Sequence, residues 1–553
     1  MKRVRNCAWL LCLCHWTWVG TALAEGEPAP PLAADRPTMP GDAELESMGA
    51  IIGRIVIDNQ DIFDPADPRE DRALFRLSNR LHIETQPELI LHELLFKPGD
   101  RYSRRLLDES ERILRAERFL YDADIVPTHY ADGRVDLKVT TRDVWSLNPG
   151  LSFGRRGGKS TFGLEIEEQN LFGRGIGVSL SRKSSVDRDI RQIEFIDRHL
   201  LGTRLQLLAG YANNSDGNAW SFGLERPFFS LDSRWAGGVN FAKFERIDPL
   251  YQLGEETYRF RDLGRTAEVY AGWSAGLRDG WVQRWRAGFA LDEHRFDSLP
   301  DATPPLRVPP DRDLAYPWVS WELIEDDFTT KRNHDQIERT EDVFLGTRLQ
   351  ARLGYSTTGL GADRNALIYR ATFNKGLKPS TNSTVTFSSV LNGRREHGSN
   401  ADLLLESTAR YYLEQDEHWL FFASLDAAYS DNLDLDHQLL LGGDNGLRGY
   451  PLRYQGGDRR ARITLEQRYF SDWYPFRLFR VGGAVFFDAG RSWGDDGLDT
   501  PNFGLLKDIG VGLRLGNSRS GLGSIIHIDL AFPLDGPSSI DNVQFLVETK
   551  KEF

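Results

Sequence analysis

The residue types and spacings that suggest a functional site lie in the last quarter of the chain. The segment GGDNGLRGYP runs from Gly442 to Pro451 and includes Arg448. Two strand-like segments follow that each carry one acid, Glu466 in RRARITLEQRYF and Asp488 in VGGAVFFDAG. One guanidinium group can bridge two carboxylates in a geometry that a lysine ammonium group cannot copy. An isolated Arg-Gly-Tyr sequence is nevertheless most often an ordinary turn, so the surrounding elements must decide.

Two other motifs resemble catalytic or ligand-binding sequences but lack the elements that such sites need. GWSAG, from Gly272 to Gly276, matches the G-x-S-x-G nucleophile elbow, which requires a strand-turn-helix setting and a partner histidine. Here it leads into another strand-like segment. GRRGGKS, residues 154–160, is one residue short of a phosphate-binding loop, and no helix follows it. The histidines show no metal-ligand spacing. We therefore predict a non-enzymatic protein without catalytic residues, metal or cofactor.

Composition and charge exclude two broad classes of protein. The 553 residues include 68 Lys+Arg and 81 Asp+Glu, a formal net charge of −13. A general nucleic-acid binder needs a basic footprint, so no nucleic-acid partner is predicted. A mean hydropathy of −0.44 excludes a bundle of membrane helices. It is compatible with a membrane β-barrel, in which only alternate residues face lipid.

The N-terminal quarter divides into three predicted segments. Residues 1–24 have the basic start, apolar stretch and small-residue end of a signal peptide, and they hold all 3 cysteines. Residues 25–48 are rich in Pro, Ala and acids, and predict a flexible linker. Residues 49–143 predict a compact β-α-α-β-β domain: a strand at IIGRIVI, helices at 87–96 and 103–119, and two strands joined at Asp132-Gly133.

Residues 144–553 consist of alternating segments of about ten residues separated by turn residues, without helical periodicity. This alternation fits a soluble β-sandwich, whose apolar face forms a core, or a membrane β-barrel, whose apolar face meets lipid. The signal peptide, the length of the strand-rich region and many strand-end aromatic residues favour the barrel. Nine tryptophans are candidates for interfacial girdles: Trp220, Trp235, Trp273, Trp281, Trp285, Trp318, Trp321, Trp419 and Trp473.

Strand parity places both acids on the polar face of their segments. Glu466 shares a face with Arg462, Thr464 and Arg468, opposite Ile463 and Leu465. Asp488 shares a face with Ala484 and Phe486. In a membrane barrel the polar face lines the lumen, so both carboxylates should point inward.

GGDNGLRGYP resembles the conserved sixth-loop motif of the BamA/TamA outer-membrane superfamily, which also contains two-partner secretion translocators. The resemblance implies that Arg448-Gly449-Tyr450 forms the tip of a long loop that folds into the barrel lumen, where Arg448 engages Glu466 and Asp488. It also implies that Phe553 is the C-terminal barrel signal. Strand alternation had placed Phe553 on the outward face with Val543, Phe545, Val547 and Thr549.

The module at 49–143 is similar to a POTRA domain, the periplasmic unit that precedes such barrels. The fold class implied is mainly β, a transmembrane antiparallel β-barrel of the bacterial surface antigen type preceded by one POTRA domain. The family barrel has sixteen strands, whereas counting alternating segments gives about twenty. The resemblance therefore predicts sixteen strands, and the segment count leaves a larger barrel of up to twenty open.

The resemblance implies a protein of the bacterial outer membrane that inserts or translocates client proteins. Its partners would be membrane lipid, an unfolded client polypeptide captured by the POTRA edge strand, and accessory lipoproteins. Family assembly factors carry several POTRA domains and secretion translocators usually two, but only one fits here. A passive pore or structural barrel without a client therefore stays open as an alternative. The long loops near Asp297 to Asp313 and Thr329 to Asp342 keep a surface adhesin or antigen open as a third interpretation.

Overall fold

The computed structural model describes residues 39–299, 308–498, 500–521, 525–550 and 553. The predicted signal peptide and residues 25–38 of the predicted linker lie outside these ranges. Among the described residues, no helix is both long and apolar enough to cross a membrane.

The N-terminal domain is a three-stranded sheet covered by helices. Its elements are α1 (Asp42–Ser47), β1 (Ile51–Gln60), α2 (Ala73–Leu81), α3 (Pro87–Glu93), α4 (Arg104–Ala116), β2 (Leu120–Ala131) and β3 (Arg134–Asp143). The strand order is β1-β3-β2, with β1 parallel to β3 and β2 antiparallel to it. The predicted turn at Asp132-Gly133 joins β2 to β3, and both residues adopt positive φ.

Two helices of this domain were not predicted. Helix α1 lies inside the segment predicted as a flexible linker, and its Leu45 is fully buried in the core with Ile52 and Leu107. The sequence around α1 is rich in acids and prolines, so its one buried apolar residue, Leu45, gave no helical pattern. Helix α2 lies in a charged stretch, where only Phe75 is buried. Ordered structure thus begins before residue 49.

The rest of the chain forms strands almost throughout. They are β4 (Leu147–Arg156), β5 (Lys159–Leu171), β6 (Ile176–Ser184), β7 (Asp189–Asp197), β8 (Gln206–Asn214), β9 (Gly217–Arg226), β10 (Trp235–Gln252), β11 (Glu255–Arg278), β12 (Trp281–Ser298), β13 (Arg312–Glu325), β14 (Phe328–Lys331), β15 (Glu341–Phe344), β16 (Thr347–Ser356), β17 (Ala366–Ser380), β18 (Ser383–Glu396), β19 (Ser399–Glu414), β20 (Trp419–Asp431), β21 (Leu439–Leu441), β22 (Gln455–Gly457), β23 (Arg459–Phe470), β24 (Phe479–Trp493), β25 (Leu506–Asn517), β26 (Ile525–Pro533) and β27 (Gln544–Lys550).

Twenty of these strands close into one antiparallel barrel in which β27 pairs with β4. Strands β14 and β15 form a separate ribbon, and so do β21 and β22. The mainly β fold class is confirmed, and the expectation of sixteen strands is wrong. The count of about twenty alternating segments matches the barrel, because nearly every such segment is a wall strand that pairs with a neighbour on each side.

The N-terminal domain contacts one end of the barrel, here called the domain end; the opposite end is the far end. Glu109 of α4 accepts a hydrogen bond from the backbone N–H of Leu231, between β9 and β10, at 2.7 Å. Glu70 pairs with Arg519, between β25 and β26. Connections that reach this domain therefore lie at the domain end, and the alternate connections lie at the far end.

The two faces of the barrel wall differ as the alternation predicts. The outward face is apolar, with exposed side chains such as Leu151, Val269 and Val511. Six of the predicted girdle tryptophans are exposed: Trp220, Trp235, Trp273, Trp285, Trp419 and Trp473. The prediction is wrong for Trp318, which is not in a girdle. It is buried on the inner face, where the Arg352 guanidinium lies 3.7 Å from the centroid of its ring.

Candidate functional site

The connection between β20 and β23, residues 432–458, lies at the far end and folds back into the lumen. The ribbon of β21 and β22 stiffens its two arms. Between them, the predicted segment from Gly442 to Pro451 carries Arg448, which is buried against the inner wall. We call residues 448–450 the loop tip. The structure brings the loop tip together with both acids that were singled out from the sequence.

Arg448 contacts both carboxylates directly. Its Nε and Nη2 donate to the two oxygens of Asp488 at 2.7 and 3.0 Å, and its Nη1 donates to Glu466 Oε1 at 2.8 Å. The guanidinium also lies over the ring of Phe486, 3.4 Å from its centroid. This is the bidentate, fork-shaped recognition of which lysine is incapable.

Further side chains of the inner wall complete the cluster. Thr464 donates its hydroxyl to Asp488 Oδ1 at 2.7 Å. Arg468 donates from Nε to Glu466 Oε2 at 2.9 Å, so Glu466 lies between two guanidinium groups. Thr464, Arg468 and Phe486 were grouped on the correct faces by strand parity, but no motif marked them as members of a site.

The other two residues of the loop tip fix its position on β25 and on the connection after β26. Gly449 approaches β25 so closely that a Cβ atom there would lie 2.7 Å from Asp508 Cβ. Tyr450 is fully buried, and its hydroxyl donates to the carbonyl oxygens of Lys507 at 2.8 Å and Asp535 at 3.0 Å. The tip therefore braces the inner face of β23–β25 and the connection that leads into β27.

The barrel closes through a weak junction, here called the seam. Among the described residues, Val547 and Arg155 form the single register pair between β27 and β4. By contrast, β26 and β27 share seven such pairs, and β4 and β5 share ten. Arg156 forms an ion pair with Glu548 across the seam. Fewer ladder hydrogen bonds make this junction the easiest place for the wall to open.

The loop that carries the tip also reaches the seam. A cavity of about 400 Å³ lies beside the seam, and its lining includes Phe153, Val547 and Arg453 of the loop. Arg453 donates to both oxygens of Asp187, in the β6–β7 turn, at 2.7 and 2.8 Å. One loop thus contacts the strands on both sides of the closure.

Phe553 occupies a different place from the outward one that alternation predicted. Val543 and Phe545 are exposed, as expected, but Phe553 is buried with Phe470 and Ile525. Its ring lies 4.7 Å from that of Phe470 and beneath Arg468. Period-two alternation is local information and does not report such packing against a distant segment.

A salt-bridged contact joins α3 to the barrel connection between β7 and β8. Glu93 pairs with His199 and Arg204 of that connection. Burial raises the pKa of the Glu93 carboxyl, but the His199 hydrogen bond and the Arg204 charge outweigh it, so the pKa lies below its usual 4.5. The carboxylate is therefore held in its charged form at this end of the barrel.

The two remaining sequence motifs, GWSAG and GRRGGKS, lie in strands and turns of the barrel. Ser274 is fully buried and donates its hydroxyl to the carbonyl of Gln283, within paired strands. The 154–160 segment is the β4–β5 hairpin. One grouping arises that sequence spacing missed: His334, Asp335 and Glu341 lie close enough to hold a cation. Both Glu341 oxygens already accept backbone N–H groups, which argues for a structural role.

Residues 336–549 match the model of the Omp85 superfamily domain. This stretch is an Omp85 superfamily domain. The resemblance inferred from the GGDNGLRGYP segment is thereby confirmed, and the matched range contains the loop tip, both acids and the last strands up to the seam. The Omp85 domain points to the bacterial outer membrane, as predicted.

Curated and solved proteins show more distant similarity. A Treponema pallidum (strain Nichols) protein, described as a candidate outer membrane protein assembly factor, is 28% identical over 182 residues, which cover 30% of this chain and 21% of that protein. The chain thus spans about a fifth of the length of the curated relative it matches.

Three solved structures are similar to this chain, each at 13% sequence identity. BamA from Haemophilus ducreyi lacking POTRA domains 1–3 has a TM-score of 0.40, with 90% of this chain and 85% of that chain covered. CdiB from Acinetobacter baumannii has a TM-score of 0.44, with 91% and 73% covered. CdiB from Escherichia coli has a TM-score of 0.46, with 90% and 76% covered.

Proposed function

We propose that this protein inserts or translocates client proteins at the outer membrane, with the N-terminal domain acting as its POTRA domain. The observation that carries the proposal is that the barrel has both a weak seam and a buried loop tip. The loop tip braces strands β23–β25 and the connection that leads into β27, the strand that forms one side of the seam. The loop tip holds the inner wall through Arg448, while the seam offers an edge at which a client strand can pair.

The POTRA domain would capture the client by strand addition. Strands β1 and β2 are the two edges of its sheet. Pro127 removes a backbone donor from β2, and Tyr121, at the start of β2, contacts the barrel connection at Glu338. Strand β1 is therefore the more complete edge for an extended polypeptide.

The loop tip would keep the barrel in a competent conformation. Arg448, Glu466 and Asp488 are each almost fully buried, and removal of the arginine would leave two carboxylates without their main partner. Breaking a buried pair costs about 3–5 kcal/mol. Strands β23 and β24, which carry these two acids, would consequently lose their defined position in the wall near the seam.

Quantitative proteomics of outer-membrane and secreted fractions tests the proposal. Cells with the intact protein are compared with cells that lack it and with cells that carry Arg448→Ala. The matched control is Arg459→Ala, because Arg459 is half-exposed and pairs only with the neighbouring Asp458 among the described residues. Heat-dependent gel mobility establishes that each barrel is folded and present.

Loss of a defined set of proteins in the deletion and Arg448→Ala strains, with Arg459→Ala unchanged, would support the proposal and identify the clients. Unchanged fractions in all strains, with folded barrels, would contradict it and favour a passive pore. Tyr450→Phe serves as a milder variant if Arg448→Ala does not fold, since it keeps the ion pairs and removes one hydroxyl.

A further inference from the structure

A second element enters the lumen, from the domain end. It is the connection between β13 and β16, residues 326–346, here called the lumen hairpin. Strands β14 and β15 form its stem, and residues 332–340 form its tip. The sequence marked Thr329 to Asp342 only as one of two long loops that suggested a surface adhesin, and not as an element of the lumen.

The tip of the lumen hairpin crosses the barrel to the opposite wall. Ile337 is buried in a cluster with Tyr412 of β19, Phe422 of β20 and Ile525 of β26. From β13, strand β23 is six positions along the strand order and β26 is nine, in a barrel of twenty. A segment attached at β13 reaches those inner-facing side chains by crossing the lumen at its domain end, where the contacted strands β19, β20 and β26 begin or end.

Internal hydrogen bonds give the tip a defined shape. The Glu341 carboxylate accepts from the backbone N–H groups of His334 at 2.9 Å, Asp335 at 3.0 Å and Gln336 at 3.1 Å. The His334 ring stacks on Tyr412 with 3.6 Å between centroids. Such satisfaction of backbone donors is characteristic of an ordered element rather than a loose loop.

The tip also touches the cluster around the loop tip. Arg468 donates from Nη1 to the carbonyl oxygen of His334 at 3.1 Å and from Nε to Glu466 at 2.9 Å. Glu466 in turn accepts from Arg448. One arginine therefore joins the element that enters from the domain end to the element that enters from the far end.

The N-terminal domain holds the lumen hairpin where its tip meets the stem. Arg115 of α4 donates from Nε and Nη2 to the two oxygens of Asp342 at 2.8 and 2.7 Å. Thr340 donates its hydroxyl to Asp122 at 2.9 Å, and the Tyr121 hydroxyl donates to the Glu338 carbonyl at 2.8 Å. These contacts join α4 and β2 to the second half of the hairpin, residues 338–342.

We propose that the lumen hairpin is a plug that the N-terminal domain holds inside the barrel. Movement of α4 and β2 away from the barrel breaks the Arg115–Asp342 pair and releases the tip from its place beside Arg468. The domain thereby controls access to the lumen from the domain end. This inference stands whether or not the protein handles a client.

Engineered cysteines test the position of the plug in the purified full-length protein. A Cβ atom at residue 516 would lie 3.5 Å from Ile337 Cβ, within the range of disulfides. The native cysteines are at positions 7, 12 and 14 only, so the pair Ile337→Cys with Gly516→Cys has no competitor after removal of the predicted signal. Mild oxidation should cross-link this pair nearly completely, and failure to cross-link in the folded barrel would overturn the proposal.

Labelling of Ile337→Cys with a membrane-impermeant maleimide tests the tether. With Asp342 intact, the thiol should be protected, because residue 337 is buried. With Asp342→Ala added, the labelling rate should rise about tenfold, the usual size of one coupling contact. An unchanged rate would overturn the proposed tether.

The matched control is Asp232→Ala, which removes a similar ion pair between α4 and the barrel, from Arg105 Nη2 to Asp232 at 2.6 Å. That contact does not involve the lumen hairpin. The rate should remain that of the Ile337→Cys parent. An equal rise with Asp232→Ala would mean that any loosening of the domain exposes residue 337, and it would overturn the specific tether.

Discussion

The loop tip and the lumen hairpin enter the same lumen from opposite ends, yet they are held by different interactions. The loop tip relies on a buried arginine between two carboxylates, Glu466 and Asp488. The lumen hairpin places Ile337 in an apolar cluster and is anchored by a salt bridge from Arg115 to Asp342, where its tip meets the stem. An ionic anchor specifies one geometry, whereas apolar contact and a tether permit release.

The difference indicates separate tasks for the two elements. The loop tip contacts the inner wall and the connection that leads into β27, so it can define the shape of the strands near the seam. The lumen hairpin also contacts the N-terminal domain, so it can respond to movement of that domain. They share Arg468 and Glu466, through which a change in one can reach the other.

The largest expected effect is that of Arg448→Ala. Two buried carboxylates lose their partner, and the free energy of unfolding should fall by about 3–5 kcal/mol. Arg448→Lys should give an intermediate loss, because an ammonium group cannot bridge both acids. Denaturant titration of tryptophan fluorescence in lipid vesicles measures both; an Arg448→Lys protein as stable as the parent would contradict an anchor that depends on guanidinium geometry.

Ile337→Ala should have the next largest effect, a loss of about 2 kcal/mol, at the low end for buried aliphatic residues because the hairpin can shift into the space. Combining it with Arg448→Ala sharpens the comparison. Since Arg468 and Glu466 are shared, the two losses should deviate from additivity by about 0.5 kcal/mol or more. Strict additivity would mean that the two elements act independently.

Tyr450→Phe tests the loop tip without altering its charges. The carbonyl oxygens of Lys507 and Asp535 lose a buried donor, so stability should fall by about 1–2 kcal/mol. The same titration measures this loss. Tyr469→Phe, on the exposed face of β23, is the control and should change little; similar losses for both variants would exclude a specific role for the Tyr450 hydroxyl.

The smallest expected effect concerns Glu93 and pH. Because its folded-state pKa is lowered, the contact with His199 and Arg204 is fully present above pH 4.5 and is lost as the pH falls through the lowered value. Glu93→Gln should weaken docking of the domain by about 1 kcal/mol at neutral pH and reduce the acid dependence. Spin-label distances between α3 and the β7–β8 connection measure docking, and an unchanged acid response in the variant would assign it to other groups.

The loop tip could be predicted from sequence because two independent signals coincide there. The GGDNGLRGYP segment marks Arg448, and strand parity turns Glu466 and Asp488 toward the lumen. The lumen hairpin gave no such signal: Ile337 is one apolar residue in a polar stretch, and its partners lie on strands distant in sequence. Long-range packing of this kind has no local pattern.

The strand region shows the same limit in a different form. Alternation located the wall segments and their inward faces, which is local information. It could not place Phe553, which packs against Phe470 of a distant segment. Nor could it place Leu45 of α1, whose burial depends on Ile52 and Leu107 in the core of its own domain. Counting alternating segments gave the number of strands, about twenty. The expectation of sixteen was wrong because it came from the family resemblance and not from that count.

A disulfide across the seam tests the central claim most directly, namely that clients are handled where β27 meets β4. Arg155 and Val547 are register partners there, so Arg155→Cys with Val547→Cys should lock the closure. The measurement is the abundance of client proteins in the outer-membrane and secreted fractions of cells that carry the locked pair, with each single cysteine as control. The account predicts loss of clients when the pair is oxidised and recovery after reduction; clients delivered normally through a fully cross-linked seam would contradict it.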